Sequence, residues 1–481
     1  MHDVIVIGGG PGGVTAALRA RELGANVTLV ERGRLGGTCT NDGCAPTRVL
    51  AKAARLAREA NHFSEYGLYA DEPTIDFARA LSNAQQKVYR LHEKKQLLSH
   101  FQRAGIRVLE SVGNVQFVDA RTIQLGDGAR FHADRFIICA GGHARQLKIP
   151  GGEHALTHSQ VWAMKKLPAS IVIVGGAATG CQLASIVAAF GARVHILESH
   201  AQILGTEDEI IPRSITQAFQ ARGIAITTQV DVQRIDQAGN EFRVEYVHNG
   251  ETKSIVAGGV LQAVGWVGNI ENLNLAAANV QTTERGYIAV NDYQQTSAEH
   301  IFAAGDITGR MMLVQSASYE GRIAAENAVL GIGLPYIHLI VPHGGFTDPE
   351  YAGVGLTEAR ARERGDCIVA VVPYADIDRA VIDDHTEGFC KLIVSVETHR
   401  ILGAHVVGEQ AVEIVQLIAA GMAADIWVEQ LAELEIAYPT YAAIVGLAAR
   451  RIVKELGVMP LSPQWRALGQ LQTAEWEARA A

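Results

Sequence analysis

Two β-α-β patterns, each turning on glycines and each closed by a glutamate, stand in the N-terminal 200 residues, and mixed strand and helix patterns fill the C-terminal third. Together they predict an α/β chain with two Rossmann-like dinucleotide-binding domains and a C-terminal α+β domain. A third observation adds the chemistry. Cys39 and Cys44 stand five apart in Gly36-Gly37-Thr38-Cys39-Thr40-Asn41-Asp42-Gly43-Cys44-Ala45-Pro46.

The first unit reads as a buried strand over 3–7, a turn Gly8-Gly9-Gly10-Pro11-Gly12-Gly13, a helix over 14–23 and a strand over 26–31. Gly8 and Gly10 keep Cβ atoms clear of a pyrophosphate, and Gly13 lets helix and strand close up. Glu31 stands 23 residues after Gly8, where a carboxylate can bind a ribose hydroxyl pair. The pattern recurs as a strand over 170–174, the turn Gly175-Gly176-Ala177-Ala178-Thr179-Gly180, a helix over 181–190 and a strand ending at Glu198. Ala177 takes the usual middle glycine position, which close phosphate approach tolerates if φ there is negative. Glu198 would repel a 2′-phosphate, so NADH is expected over NADPH.

Helical stretches over 48–60 and 85–104 lie between the units, followed by strand-rich sequence. A strand runs into Gly305-Asp306. From Val341 on, strands over 367–372, 389–394 and 401–407 are followed by helices over 410–424, 428–434 and 441–456. The expected domains are 1–150, 151–270, a central region 271–340 completing the first, and 341–481. Glu207-Asp208-Glu209 reads as a solvated loop, and His343 as a domain-entry residue. The tail after Pro460, with Trp465 and Trp476, suggests no role.

The formal net charge of −9 argues against a nucleic-acid partner. No long apolar run reads as a membrane span, and no signal peptide is evident, so a soluble cytoplasmic protein is expected. Six cysteines in 481 residues are too few for a disulfide scaffold. Cys139, Cys367 and Cys390 in apolar runs, and Cys181 opening a helix, read as structural.

Cys39 and Cys44 differ from these. In one regular helix they would lie about 140° apart around the axis, too divergent for a disulfide. The segment must therefore bend before Cys44, and Gly43 permits it. Pro46 suits a first helical turn, which puts Cys44 at a helix N-terminus, where the dipole favours thiolate. Such a pair is suited to opening and closing.

The loop from Gly37 to Pro46 closely resembles the active-site loop of the pyridine nucleotide-disulphide oxidoreductases, which include dihydrolipoamide dehydrogenase, glutathione reductase, mercuric reductase and soluble transhydrogenase. Both glycine turns, Gly305-Asp306 and Phe346-Thr347-Asp348-Pro349-Glu350 extend the resemblance over nearly the whole chain. It implies an enzyme that binds FAD and NAD(P)H, a C-terminal dimerisation domain, and a homodimer with active sites between subunits. The FAD positions it implies are Gly8, Gly10, Gly12, Gly13, Glu31, Gly37, Thr38, Arg48, Gly113 near the adenine, Ala140, Gly141, Gly305, Asp306 near the ribityl chain, and Ala317. Those for NAD are Gly175, Gly176, Ala178, Gly180, Gln182, Glu198 and Gly265. No metal site is implied.

Departures narrow the chemistry. Where the family usually has His-Pro-Thr, with a glutamate five residues after the histidine as acid/base dyad, this chain has Tyr438-Pro439-Thr440 and Ala443. A phenol is a poor base at pH 7 but donates a hydrogen bond. Arg48 and Gln182 replace the family's Lys–Glu pair near the flavin, Ala178 replaces an aromatic gate, and Trp266 stands where an arginine is usual. The expected activity is NADH-dependent reduction, through Cys44 and then Cys39, of a small disulfide or a thiol-bound metal. The other readings are dihydrolipoamide dehydrogenase, mercuric reductase-like metal reduction, transhydrogenase or diaphorase chemistry, and a redox sensor whose dyad has decayed.

Overall fold

The computed structural model describes residues 2–69, 71, 73–337 and 340–458; Trp465 and Trp476 lie outside them. The chain divides into two units, one of residues 1–199 and 227–338, the other of 200–226 and 339–481.

The first unit opens with β1 (Asp3–Ile7), α1 (Pro11–Glu22), β2 (Asn26–Val30), the short α2 (Gly37–Asn41), α3 (Cys44–Glu59) and α4 (Phe77–Lys95). β3 (Arg107–Leu109) and β4 (Arg135–Ile138) follow. A second series comprises β5 (Ser170–Val174), α5 (Ala178–Ala189), β6 (Arg193–Leu197) and β7 (Gly259–Gln262). β8 (Ile301–Ala303) and α6 (Val314–Leu330) return to the first series. The expected helix over 85–104 is two helices, because Gln96 enters the left-handed region with φ 43° between α4 and Leu97–Arg103.

Five parallel strands in the order β8-β4-β1-β2-β3 form the first sheet. Val4, Val6, Leu29, Ile137 and Phe302 are buried on one of its faces. Against them pack Ala16, Ala17 and Ala20 of α1 and Ala324, Ala325 and Ala328 of α6. These small residues let the two helices approach closely; a Cβ on Gly321 would come within 2.3 Å of the Gly12 carbonyl oxygen. Arg19 and the buried Glu326 close the pair at 2.8 Å. In the second parallel sheet β5 lies between β6 and β7. Both sheets put the C-terminal ends of their strands beneath a glycine turn, the usual ligand edge of open α/β sheets.

The second unit holds an antiparallel sheet in the order His343–Gly345, Tyr351–Gly355, Ile401–Val407, Phe389–Ser395, Cys367–Pro373. The helices Ala411–Ala423 and Ala443–Leu456 pack on it through Ile414, Val415, Ile418, Val445, Ala448 and Ile452.

One sequence expectation fails in this unit. Glu207 and Asp208 are not a solvated loop. Asp208 is 1% exposed and its carboxylate accepts from Lys391 Nζ at 2.7 Å. Glu207 meets His343 Nε2 at 3.0 Å, so His343 is an ion-pair partner as well as a strand residue. Only Glu209 faces solvent, paired to Arg213. An acidic run looks solvated in sequence because its partners, Lys391 and His343, lie far along the chain.

Candidate active site

The two glycine turns are built alike. Gly8 and Gly175 have φ of 108° and 103°, left-handed values that exclude a side chain. A Cβ on Gly13 would stand 1.8 Å from the Gly8 oxygen, and one on Gly180 1.9 Å from the Gly175 oxygen. Those glycines let each helix start directly over its turn. Gly10 has φ −74° and ψ −177°, and Ala177 has φ −78° and ψ −173°. Position 177 therefore needs no glycine, and alanine keeps the same backbone. Neither helix N-terminus has a side-chain cap or an acidic residue in its first turn, which leaves backbone N–H groups for a phosphate.

Each glutamate is tied to its own turn. Glu31 accepts from Gly9 N at 2.7 Å and from Gly33 N at 2.7 Å. Glu198, buried, accepts from Gly176 N at 2.6 Å. The carboxylates are thus held beside the turns.

Other predicted positions gather at the first turn. A Cβ on Gly37 would come within 2.8 Å of Gly10 Cα, and one on Gly12 within 3.0 Å of the Ala317 oxygen. Gly305 has φ 82°, and a Cβ there would meet the Ala317 methyl at 3.2 Å. Gly113 donates to the Arg32 carbonyl at 3.2 Å, beside Glu31. The Ala140 carbonyl accepts from Asn269 at 2.7 Å, and Gly141 takes φ 70°. This cradle, with open space beside Gly113 and only ordinary contact beside Gly10, fits a long dinucleotide such as FAD. Gly265, with φ 106°, follows β7 on the edge shared with Gly175 and Glu198. Ala178 is exposed at the start of α5. Helices α3, carrying Arg48, and α5, carrying Gln182, pack against each other, and the Gln182 amide donates to the Ala178 carbonyl at 3.0 Å.

The redox loop bends where expected. α2 ends at Asn41, Gly43 is the N-cap residue, and Cys44 opens α3. Asp42 N and Gly43 N both donate to the Thr38 carbonyl, at 3.0 and 2.7 Å. Gly43 has φ −107°, so its value lies in closeness and not in a left-handed turn: a Cβ would meet the Thr38 oxygen at 3.0 Å. Both cysteines are thiols here. The Cys39 hydrogen bond, helped by a backbone donor, outweighs burial and lowers the Cys44 pKa to about 7. The same bond and burial push Cys39 up, while the Lys95 charge opposes them. Burial raises Asp306, whose charge works against thiolate at both sulfurs. Cys139, Cys181, Cys367 and Cys390 are buried as expected.

Tyr438 is 76% exposed, and its hydroxyl donates to Asp378 at 2.7 Å. Sequence reasoning missed Asp378. It sought a carboxylate at position 443, whereas the carboxylate that meets the phenol comes from a helix 60 residues upstream. Among the described residues no helix is long and apolar enough to cross a membrane, and no three His, Cys, Asp or Glu side chains are grouped to hold a metal.

Residues 2–321 match the pyridine nucleotide-disulphide oxidoreductase family model, and residues 341–449 its dimerisation domain. A mercuric reductase of Lysinibacillus sphaericus is 32% identical over 95% of this chain and 83% of its own length. A dihydrolipoyl dehydrogenase of Geobacillus stearothermophilus is 34% identical over 93% of this chain and 95% of its own. The HOCl-induced flavoprotein disulfide reductase RclA from Escherichia coli, also solved as a Cu(II) complex, superposes with a TM-score of 0.83 at 27% identity, covering 93% of this chain and 99% of its own. With its paired glycine turns, its adjacent thiols and both family models matched, the chain belongs to the pyridine nucleotide-disulphide oxidoreductases, FAD-dependent enzymes that use NAD(P)H.

Proposed function

We propose that this enzyme is an NADH-preferring reductase that passes electrons through Cys39 and Cys44 to a small disulfide or a thiol-bound metal. The observation that carries the reading is the bent loop that brings Cys39, in α2, to Cys44 at the first position of α3, with Cys39 hydrogen-bonded to Cys44. Cys44 is suited to hold negative charge at the N-terminus of α3, and Cys39 to keep a proton until it meets substrate.

Backbone N–H groups at the start of α1 would hold the FAD pyrophosphate, Glu31 its ribose, and Asp306 the ribityl chain. Bound there, FAD would supply the conversion of a hydride from NADH into reduction of a disulfide. Gly176 and Gly180 would admit the NADH pyrophosphate, and Glu198 would take the ribose hydroxyls. The enzyme would work as a cytoplasmic homodimer, with Tyr438 of one subunit facing Cys39 of the other.

The Glu198 carboxylate supports NADH, since a 2′-phosphate beside it would be repelled. With NADH the kcat/KM is expected to exceed that with NADPH by about tenfold or more, and Glu198→Ala to narrow the gap. A higher kcat/KM with NADPH would sink this assignment.

Metal reduction is a second reading, favoured by Tyr438 and Asp378 standing where an imidazole base is absent. A metal requires thiolate ligands more than proton removal from a dithiol. Steady-state turnover with lipoamide, glutathione disulfide, Hg(II) and Cu(II) separates the two. Tyr438→Phe is expected to lower disulfide turnover by about tenfold to a hundredfold, with the Cys44 thiolate absorbance intact. A change below about twofold would make Tyr438 an interface residue only.

A further inference from the structure

Three consecutive residues between the cysteines are each held by a side chain from outside the loop. Lys95 Nζ, at the end of α4, donates to Thr40 Oγ1 at 2.9 Å. His92 Nε2, one turn earlier, meets Asn41 Oδ1 at 2.7 Å. Asp42 is held twice. The Ser159 hydroxyl donates to its carboxylate at 2.5 Å, and the Trp162 indole N–H donates to its carbonyl at 2.8 Å.

The donors on Asp42 are themselves fixed. Ser159 lies in the turn His158–Val161, which Thr157 and Gln160 close as a capping box. His158 Nε2 stands 3.1 Å from Ser159 Oγ, and its ring lies 5.0 Å from that of Trp266. His158 and Trp162 are 7% and 6% exposed. A segment 117 residues downstream of Asp42 thus presents a preset, mostly buried donor pair to the one charged residue between the cysteines.

We propose that Ser159 and Trp162 are positioning residues that clamp Asp42, so that Cys39 and Cys44 stay within bonding distance after their disulfide opens. The inference rests on the redox-active pair proposed above. Opening breaks the S–S bond; the two electrons and one proton of a hydride leave a thiol at Cys39 and a thiolate at Cys44. Closing forms the bond again and returns the same electrons and proton to the acceptor. A clamped loop holds each sulfur at high effective concentration for the other, which favours closing. A loosened loop gains freedom only in the open dithiol state.

The test is the equilibrium of the FAD-loaded enzyme with mixtures of reduced and oxidised dithiothreitol, read by alkylation and mass of the Cys39–Cys44 peptide. Losing a hydrogen bond to a charged group is expected to shift the constant for Ser159→Ala about tenfold toward the dithiol, which is about 30 mV. Ser159→Thr keeps the donor and should follow the wild type. Asp42→Asn keeps an acceptor and should stay within about threefold, whereas Asp42→Ala should shift like Ser159→Ala. The Asp42 pair decides the matter if Ser159→Ala does not fold. A Ser159→Ala curve superimposed on the wild type, or Asp42→Asn moving as far as Asp42→Ala, overturns the clamp. A wild-type enzyme that forms no Cys39–Cys44 disulfide at any ratio removes the redox pair itself, and the clamp with it.

Discussion

Cys44→Ser is expected to lower NADH-dependent reduction of any disulfide substrate by roughly 10⁴-fold or more, as loss of a covalent participant does. The serine keeps the start of α3 but cannot form the S–S bond. FAD absorbance per chain serves as the control for folding. A second readout follows from the lowered thiol. In wild-type enzyme reduced by one NADH per subunit, the thiolate exists above about pH 7 and is lost as pH falls below it, because Cys39 donates to Cys44 and stabilises its charged form. The long-wavelength absorbance of a thiolate beside an oxidised flavin should therefore rise with pH through about 7 and be absent from Cys44→Ser at every pH. Disulfide turnover persisting in the variant would mean that electrons bypass the pair.

Lys391→Met is expected to destabilise the second unit by about 3–5 kcal/mol, the usual cost of removing one partner of a buried ion pair. Lys391 is 4% exposed and meets Asp208 at 2.7 Å and Glu358 at 2.6 Å. Burial alone would raise the Asp208 pKa; the Lys391 ammonium and the Glu358 N–H outweigh it and hold the carboxyl below its ordinary range. A depressed carboxyl contributes stability above its unfolded pKa and loses it as pH falls through the folded one. The wild-type contribution should accordingly survive to mildly acidic pH. Without Lys391, Asp208 keeps its backbone donors and His405 at 3.8 Å, and the loss should begin at higher pH. Hydrogen exchange in the strand Phe389–Ser395, with denaturant midpoints at several pH values, reads both effects. Adding Asp208→Leu should recover more than half of the loss, since an apolar pair leaves no buried charge.

Both glycine turns, each with its glutamate, were legible because their determinants are local. Gly8, Gly13 and Glu31, and their counterparts Gly175, Gly180 and Glu198, lie within two dozen residues of one another, and backbone sterics alone dictate the spacing. Ala177 was readable for the same reason: the condition on its φ is met at −78°. The bend before Cys44 was legible from helix geometry, although Gly43 serves it by closeness to Thr38.

What sequence could not show is contact between distant segments. Asp208 looked solvated because Lys391 is 183 residues away. Asp378 went unnoticed because a carboxylate that meets Tyr438 need not occupy the family's position. Asp42 drew no assignment, because Ser159 and Trp162 donate to it from beyond the first domain's expected boundary. In each case the signal is a side-chain pairing that only folding creates.

In the proposed reaction the flavin and the Cys39–Cys44 pair both take electrons from NADH. Anaerobic titration of the FAD-loaded enzyme with NADH, counting electrons by absorbance and thiols by alkylation, tests it most directly. Four electrons per subunit are expected, two for the flavin and two for the disulfide, with thiolate absorbance greatest after the first two. Uptake of only two, with Cys39 and Cys44 unchanged in their alkylation, would contradict it.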